Sequence, residues 1–391
     1  MDERKRRLAL QKRREALLRK KRQKQERILI FTASLIILCV LIVLLILLLS
    51  KPKGDQTIPE PTPLPTTAPT ATPVPSYIGK ADIQTYTSKY SDYLPLIKKA
   101  DTTEKVIAIT IDDLDLNLKD NLEEIIEIAI NYNVKLTLFP IGNQLHDSSI
   151  RNSLLMAFSR GFEIENHTMN HEQVYKLSNE NFYNTVVDQQ KIVSQSLGVD
   201  YQPHFFRLPG GNGTVDPRTH FYLKRLGYKA LLDWSISGSD LEIEKIKSRL
   251  EPGSIILFHT TSGDLRKIKK LIPYAIGQGY RIVTLNELLS YDENLCYALG
   301  SQSIPEFVPY EYDQYIVMQK GQKAYCILLM QERLTELGYL PADSVADGDF
   351  GSQTEEAVKR FQIVHGLDAT GIANIDTQTI LFSENARHNG F

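Results

Sequence analysis

Cysteine is scarce in this chain. Three residues, Cys39, Cys296 and Cys326, among 391 cannot supply a disulfide framework or an all-cysteine zinc site. Net charge is small too, −2 at pH 7, but the balance hides a split. Residues 1–27 carry 13 Lys and Arg against 4 acidic residues, and the rest of the chain carries 32 against 43. With 42% hydrophobic and 24% charged residues, a wholly disordered or fibrous molecule is excluded. The length exceeds what one hydrophobic core usually supports, so two or three domains are expected.

One long apolar run stands out, Ile28 to Leu49, interrupted only by Thr32 and Ser34. At 1.5 Å per residue it is long enough to cross a hydrocarbon core of roughly 30 Å, and a transmembrane helix is expected over 28–50. The run is too long for the apolar part of a signal peptide, and its exit, Leu-Leu-Ser-Lys-Pro-Lys, lacks a small-residue cleavage site. Basic flanks stay on the cytoplasmic side, so 1–27 is expected to be a basic cytoplasmic tail and everything after Ser50 to lie outside. The tail then reads as a topology signal and a contact for anionic lipid, with no nucleic-acid partner. Residues 51–76 hold eight prolines and six threonines. They form a spacer, either extended to roughly 80 Å or simply flexible.

After a connecting segment, 77–103, residues 104–290 alternate short apolar runs with amphipathic stretches. Strands are expected at Val106–Asp112, Lys135–Ile141, Phe162–His167, His204–Leu208, Tyr228–Trp234, Ser254–His259 and Arg281–Leu285. Between the first two, Leu122, Ile125, Ile126, Ala129 and Ile130 recur at helical spacing. Such alternation predicts an α/β fold with a parallel sheet, a distorted (β/α) barrel of about seven strands.

In such a barrel chemistry sits at the carboxyl ends of the strands, and the unusual polar residues fall there. Asp112 and Asp113 end the first strand, where adjacent carboxylates repel unless a cation or arginine lies between them. His167 and His171 follow the third strand, four residues apart, a spacing that can put two imidazoles on one metal. Arg207 and Pro209 precede Gly210 and Gly211, Asp240 follows the Trp234 strand, and His259 closes Ile-Ile-Leu-Phe-His. Each alone has an ordinary alternative: a capping acid, a strand-to-helix turn or a hydrogen-bonded core histidine.

Together and in order they resemble the five motifs of the polysaccharide deacetylase family, also called the NodB homology domain or carbohydrate esterase family 4. Thr110-Ile111-Asp112-Asp113 is similar to the first motif, His167-Thr168-Met169-Asn170-His171 to the second, and Arg207-Leu208-Pro209 to the third. Asp240 is similar to the acid of the fourth, and Leu257-Phe258-His259 to the fifth. The resemblance implies that Asp113, His167 and His171 hold a divalent metal, Zn2+ being the first choice, and that Asp112, oriented by Arg207, is the general base. It further implies that the Gly210 N–H after Pro209 helps hold the oxyanion, and that His259, tuned by Asp240, protonates the leaving amine. Departures from the pattern, Leu114-Asp115, Gly210, Leu241 and Thr260, spare these positions and bear on the groove walls.

A linker, 291–318, leads to a small helical unit at 319–384, with helices expected at Ile327–Leu337, Thr354–His365 and Thr377–Leu381 and Phe350 plugging their core. Leu329–Tyr339, Ala357–Gln362 and Gly366–Ile372 resemble the peptidoglycan-binding domain of wall hydrolases. A bridge between Cys296 and Cys326 is open. The resemblances imply a membrane-anchored N-deacetylase of peptidoglycan amino sugars, GlcNAc or MurNAc, on a Gram-positive surface. Two alternatives remain: a non-catalytic wall-binding protein, or a deacetylase of another acetylated polysaccharide.

Overall fold

The computed structural model describes residues 93–291, 304–310 and 316–390. The expected tail, transmembrane helix at 28–50 and spacer lie outside the described residues, as do Cys39 and Cys296. Among the described residues no helix is long and apolar enough to cross a membrane.

Nine strands run through the first domain: β1 (Leu96–Ile97), β2 (Val106–Asp113), β3 (Thr137–Pro140), β4 (Glu163–Ile164), β5 (Phe205–Phe206), β6 (Ala230–Leu232), β7 (Ile236–Ser237), β8 (Ile255–Phe258) and β9 (Arg281–Val283). The order β4-β3-β2-β8-β7 makes one sheet, with β9 also on β2, and β1-β6-β5 makes the second. All strand pairs are parallel. Single bridges, Asn166 with Phe206 and Lys99 with Ser254, join the sheets into a distorted barrel. The seven expected strands are present, β2 one residue longer than expected and the other six shorter, and two-residue β1 and β7 are additional.

The intervening helices are α1 (Lys119–Asn131), α2 (Ser148–Ser159), α3 (Asn179–Leu197), α4 (Pro217–Arg225), α5 (Ile243–Arg249), α6 (Ser262–Gly277) and α7 (Leu285–Leu288). Alternation along the strands divides the core. Ile107, Ile109 and Ile111 of β2 pack outward on Leu122, Ile125, Ile126 and Ala129 of α1, each burial contributing roughly 1.5–3 kcal/mol. Val106 and Ala108 turn the other way and meet Phe139, Phe205, Ala230 and Ile255 in the barrel interior. Glu163 and Glu165 share the inward parity of β4 and are buried. Burial raises the pKa of both, well above the usual carboxylate range for Glu165, where the Glu163 charge adds to it.

The C-terminal module consists of α8 (Tyr325–Glu336), α9 (Ser352–Val364) and α10 (Ile375–Leu381). Phe350 is fully buried at the centre of its core. Two buried glutamines hold its loops in the same way. Gln331 Nε2 donates to Asp347, Asp349 and Thr354 while its Oε1 accepts from Gly348 N. Gln362 Nε2 donates to Thr370, Ile372 and Thr377 while its Oε1 accepts from Gly371 N. Cys326 is buried in α8 with a free thiol.

Candidate active site

Strand parity brings the polar residues together. Asp112 continues the inward series of Ala108 and Thr110, His167 that of Glu163 and Glu165, Arg207 that of Phe205, and His259 that of Ile255. All four therefore converge on the barrel mouth from different strands. Asp113 has outward parity, but its φ of 71° turns the chain at the end of β2. Among the described residues six non-glycines have positive φ, and four of them, Asp113, Leu114, Thr168 and His171, flank this mouth. Strain of this kind concentrates at functional sites because the surrounding structure must hold it.

Asp113 Oδ1 lies 3.5 Å from His167 Nε2 and 3.6 Å from His171 Nε2. The three ligand atoms lie within 4.8 Å of one another, and the buried Asp113 Oδ1 has no hydrogen-bond partner. Two imidazole nitrogens and one orphaned carboxylate oxygen suit a divalent cation, whose ligands at about 2.0–2.2 Å would stand a little over 3 Å apart. His167 Nδ1 donates to the Arg207 carbonyl at 2.8 Å, which leaves the Nε2 lone pair facing Asp113. Burial lowers the His167 pKa, so the ring is neutral as a ligand must be. The histidines do not share a helical turn: left-handed Thr168 and His171 bring their rings to 5.0 Å.

Arg207 is buried under the mouth. Its Nη1 donates to Asp112 Oδ1 at 2.7 Å and Thr110 Oγ1 at 2.8 Å, and its Nε and Nη2 donate to the carbonyls of Leu232 and Asp233. The guanidinium lies 4.2 Å from the Phe139 ring centre. Asp112 Oδ2 stands 3.8 Å from His167 Nε2. Pro209 starts a single turn in which Gly210 takes a left-handed φ of 66° at an exposed position.

Asp240 is not brought to His259. It is exposed and accepts from Ser237 Oγ at 2.5 Å, because the chain after β7 folds its side chain back along its own loop. The acid behind His259 is Asp264, buried in the first turn of α6. Ser239 Oγ donates to Asp264 Oδ2 at 2.7 Å and so accepts from His259 Nδ1 at 2.9 Å, while His259 N donates to the same carboxylate oxygen at 2.9 Å. His259 Nε2 stands 3.9 Å from Asp113 Oδ2. Sequence reasoning missed Asp264 and Ser239. The spacing Thr261-x-x-Asp264 reads as helix capping, and Thr261 does accept from Asp264 N.

The arrangement can hold a cation beside a fixed carboxylate and a carboxylate-backed imidazole, the parts needed for hydrolysis of an acyl bond. A family model, Polysaccharide deacetylase, matches residues 99–231, and one described as "Putative peptidoglycan binding domain" matches 327–381. A peptidoglycan-N-acetylglucosamine deacetylase of Bacillus cereus is 30% identical over 202 residues, 48% of this chain and 90% of that protein. The peptidoglycan-N-acetylmuramic acid deacetylase PdaC of Bacillus subtilis is 27% identical over 201 residues, 50% of this chain and 41% of that protein. Among solved structures, a pseudoenzyme of carbohydrate esterase family 4 from Bacillus anthracis aligns with a TM-score of 0.45 at 20% identity, covering 51% of this chain and 69% of that one.

Proposed function

The chain belongs to the polysaccharide deacetylase family and is a hydrolase of amide bonds, and from that premise we propose that it removes acetyl groups from the amino sugars of peptidoglycan, releasing acetate. Similarity to deacetylases of both N-acetylglucosamine and N-acetylmuramic acid supports this substrate class, as does the C-terminal match. The observation that carries the reading is the cluster of Asp113, His167 and His171 beside Asp112 on Arg207 and His259 on Ser239.

Asp113, His167 and His171 would hold a divalent cation, Zn2+ in our reading, which supplies Lewis-acid polarisation of a water and of the acetamide carbonyl. Arg207 fixes Asp112 through Oδ1 and leaves Oδ2 to take the proton of the attacking water. The Gly210 N–H meets the carbonyl oxygen as negative charge develops there. With Ser239 accepting from Nδ1, His259 exchanges its proton at Nε2 and delivers it to the departing nitrogen as the carbon–nitrogen bond breaks. Asp264, behind Ser239, stabilises the imidazolium that gives up this proton. The products are acetate and a free amine on the sugar.

The apolar run 28–50 and basic residues 1–27 anchor the protein in this reading, with the catalytic domain and module outside a Gram-positive membrane. Free amine should accumulate when the protein is incubated with N-acetylated peptidoglycan, and membrane fractionation with external protease should release the catalytic domain. Equal or faster turnover of chitin oligomers or O-acetyl esters would replace peptidoglycan as the substrate.

A further inference from the structure

The segment that follows His171 is held by a residue whose other face belongs to the C-terminal module. Val174–Lys176 forms a single 3-10 turn in which Val174 and Tyr175 are buried. Arg218, fully buried in α4, spans this turn, Nη2 donating to the Val174 carbonyl at 3.2 Å and Nη1 to the Leu177 carbonyl at 2.8 Å. Nη1 also donates to Asn179 Oδ1, and Nε and Nη2 donate to Asp216 Oδ2. The five guanidinium N–H donors are thus matched by five bonds. Their common direction is set by the plane of the guanidinium, and that plane is covered by the Tyr325 ring at 3.9 Å. Tyr325 opens α8, and its backbone N–H donates to Asp216 Oδ2 at 3.0 Å.

A second contact closes the same joint. A Cβ on Gly348 of the module would stand 3.0 Å from Tyr175 Cδ2, and one on Gly213 would stand 3.5 Å from Tyr175 Cβ, so the tyrosine is sandwiched between the module and the loop that carries Gly210. Val215 of that loop packs on the module's core. Asp216 N donates to the Gly213 carbonyl at 3.1 Å, tying the loop to the buried ion pair. The segments after His171 and after Pro209 therefore meet at one place, and α8 covers it.

We propose that the C-terminal module is a structural wall of the catalytic groove and that Tyr325, acting through Arg218, is a positioning residue for the His171 segment. A buried pair of charges within the first domain, covered by the module through the Tyr325 ring and N–H, is costly to expose and well placed to fix one arrangement of the two domains. The module then serves hydrolysis of soluble substrate as well as attachment to the wall. This rests on the reading of Asp113, His167 and His171 as the cation site.

The test uses the full chain, with Tyr325→Ala, which removes the covering ring, and Tyr325→Phe, which keeps it. Amide hydrogen exchange over 172–177 should speed at least tenfold in Tyr325→Ala and return to the parental rate in Tyr325→Phe. KM for a soluble N-acetylglucosamine oligomer should rise at least fivefold in Tyr325→Ala, with capture on insoluble wall unchanged. If Tyr325→Ala fails to fold, Tyr325→Leu, which fills the volume without an aromatic face, is read the same way. Exchange and KM within twofold of the parent in a folded variant would overturn the proposal. A parent without deacetylase activity would sink the functional reading, while the exchange result would still decide the joint.

Discussion

Asp264→Asn isolates the charge behind His259. The change keeps volume and one carbonyl acceptor but removes a carboxylate that takes bonds from Ser239 Oγ at 2.7 Å and His259 N at 2.9 Å. Both bonds fall on Oδ2, so the asparagine carbonyl can accept them and the geometry is kept, but no negative charge remains to stabilise the imidazolium that forms on His259. General acid catalysis contributes about 10²–10⁴-fold. A fall of about 100-fold in kcat is expected, about 2.7 kcal/mol at 1.36 kcal/mol per decade. KM should stay within twofold, because His259 is not among the three residues grouped as cation ligands. Asp240→Asn is the control: exposed and bonded to Ser237, it should leave kcat within twofold. Steady-state assays on a soluble acetylated oligomer, with thermal melting to show that both variants fold, decide the matter. A kcat for Asp264→Asn within threefold of the parent, or an equal fall in Asp240→Asn, would refute the reasoning.

Three further outcomes are expected. Arg207→Met leaves the buried Asp112 carboxylate unpaired and should cost about 3–5 kcal/mol in urea unfolding, with Asp112→Asn added to it recovering part of that loss. His220 is held neutral, since its Nδ1 accepts from Leu94 N at 3.1 Å, its Nε2 donates to the Thr214 carbonyl at 2.8 Å, and burial brings its pKa to about 4. The unfolded chain takes up this proton near pH 6.5, so the stability is fully present above 6.5 and falls as pH drops toward 4, by about 3 kcal/mol in all. Urea unfolding at pH 7.5 and 4.5 should show this slope, reduced in His220→Gln. Zn2+ at about 100 times its Kd should stabilise the fold by about 2.7 kcal/mol, seen as a rise in Tm that chelator reverses and that His167→Ala/His171→Ala abolishes.

Seven strands were legible from their apolar runs, and two of the two-residue strands were not. Ile107, Ile109 and Ile111 alternate over a run long enough to show its period, whereas Leu96–Ile97 and Ile236–Ser237 hold two residues each and exist because longer neighbours pair with them. Asp112, Asp113, His167, His171, Arg207 and His259 could be found because each ends or follows an apolar run. Which acid stands behind His259 could not. The choice between Asp240 and Asp264 depends on how a loop returns after β7, and that is settled by Ser239 and Lys267, which donates to the Gly238 and Ser239 carbonyls, far along the chain. In the module, helix spacing predicted α8, α9 and α10 to within about two residues. The paired roles of Gln331 and Gln362 rest on loop closures with no local period. The joint at Arg218 joins residues more than 100 positions apart, and no spacing rule reaches that far.

The central claim is that Asp112 acts as base beside a cation on Asp113, His167 and His171. Acetate release from N-acetylated peptidoglycan, measured on the purified protein with Zn2+, after chelation and in Asp112→Asn, tests it most directly. The account predicts release by the Zn2+-loaded parent, loss on chelation with recovery on adding Zn2+, and a fall of at least 100-fold in Asp112→Asn. Acetate release by Asp112→Asn at the parental rate would contradict it.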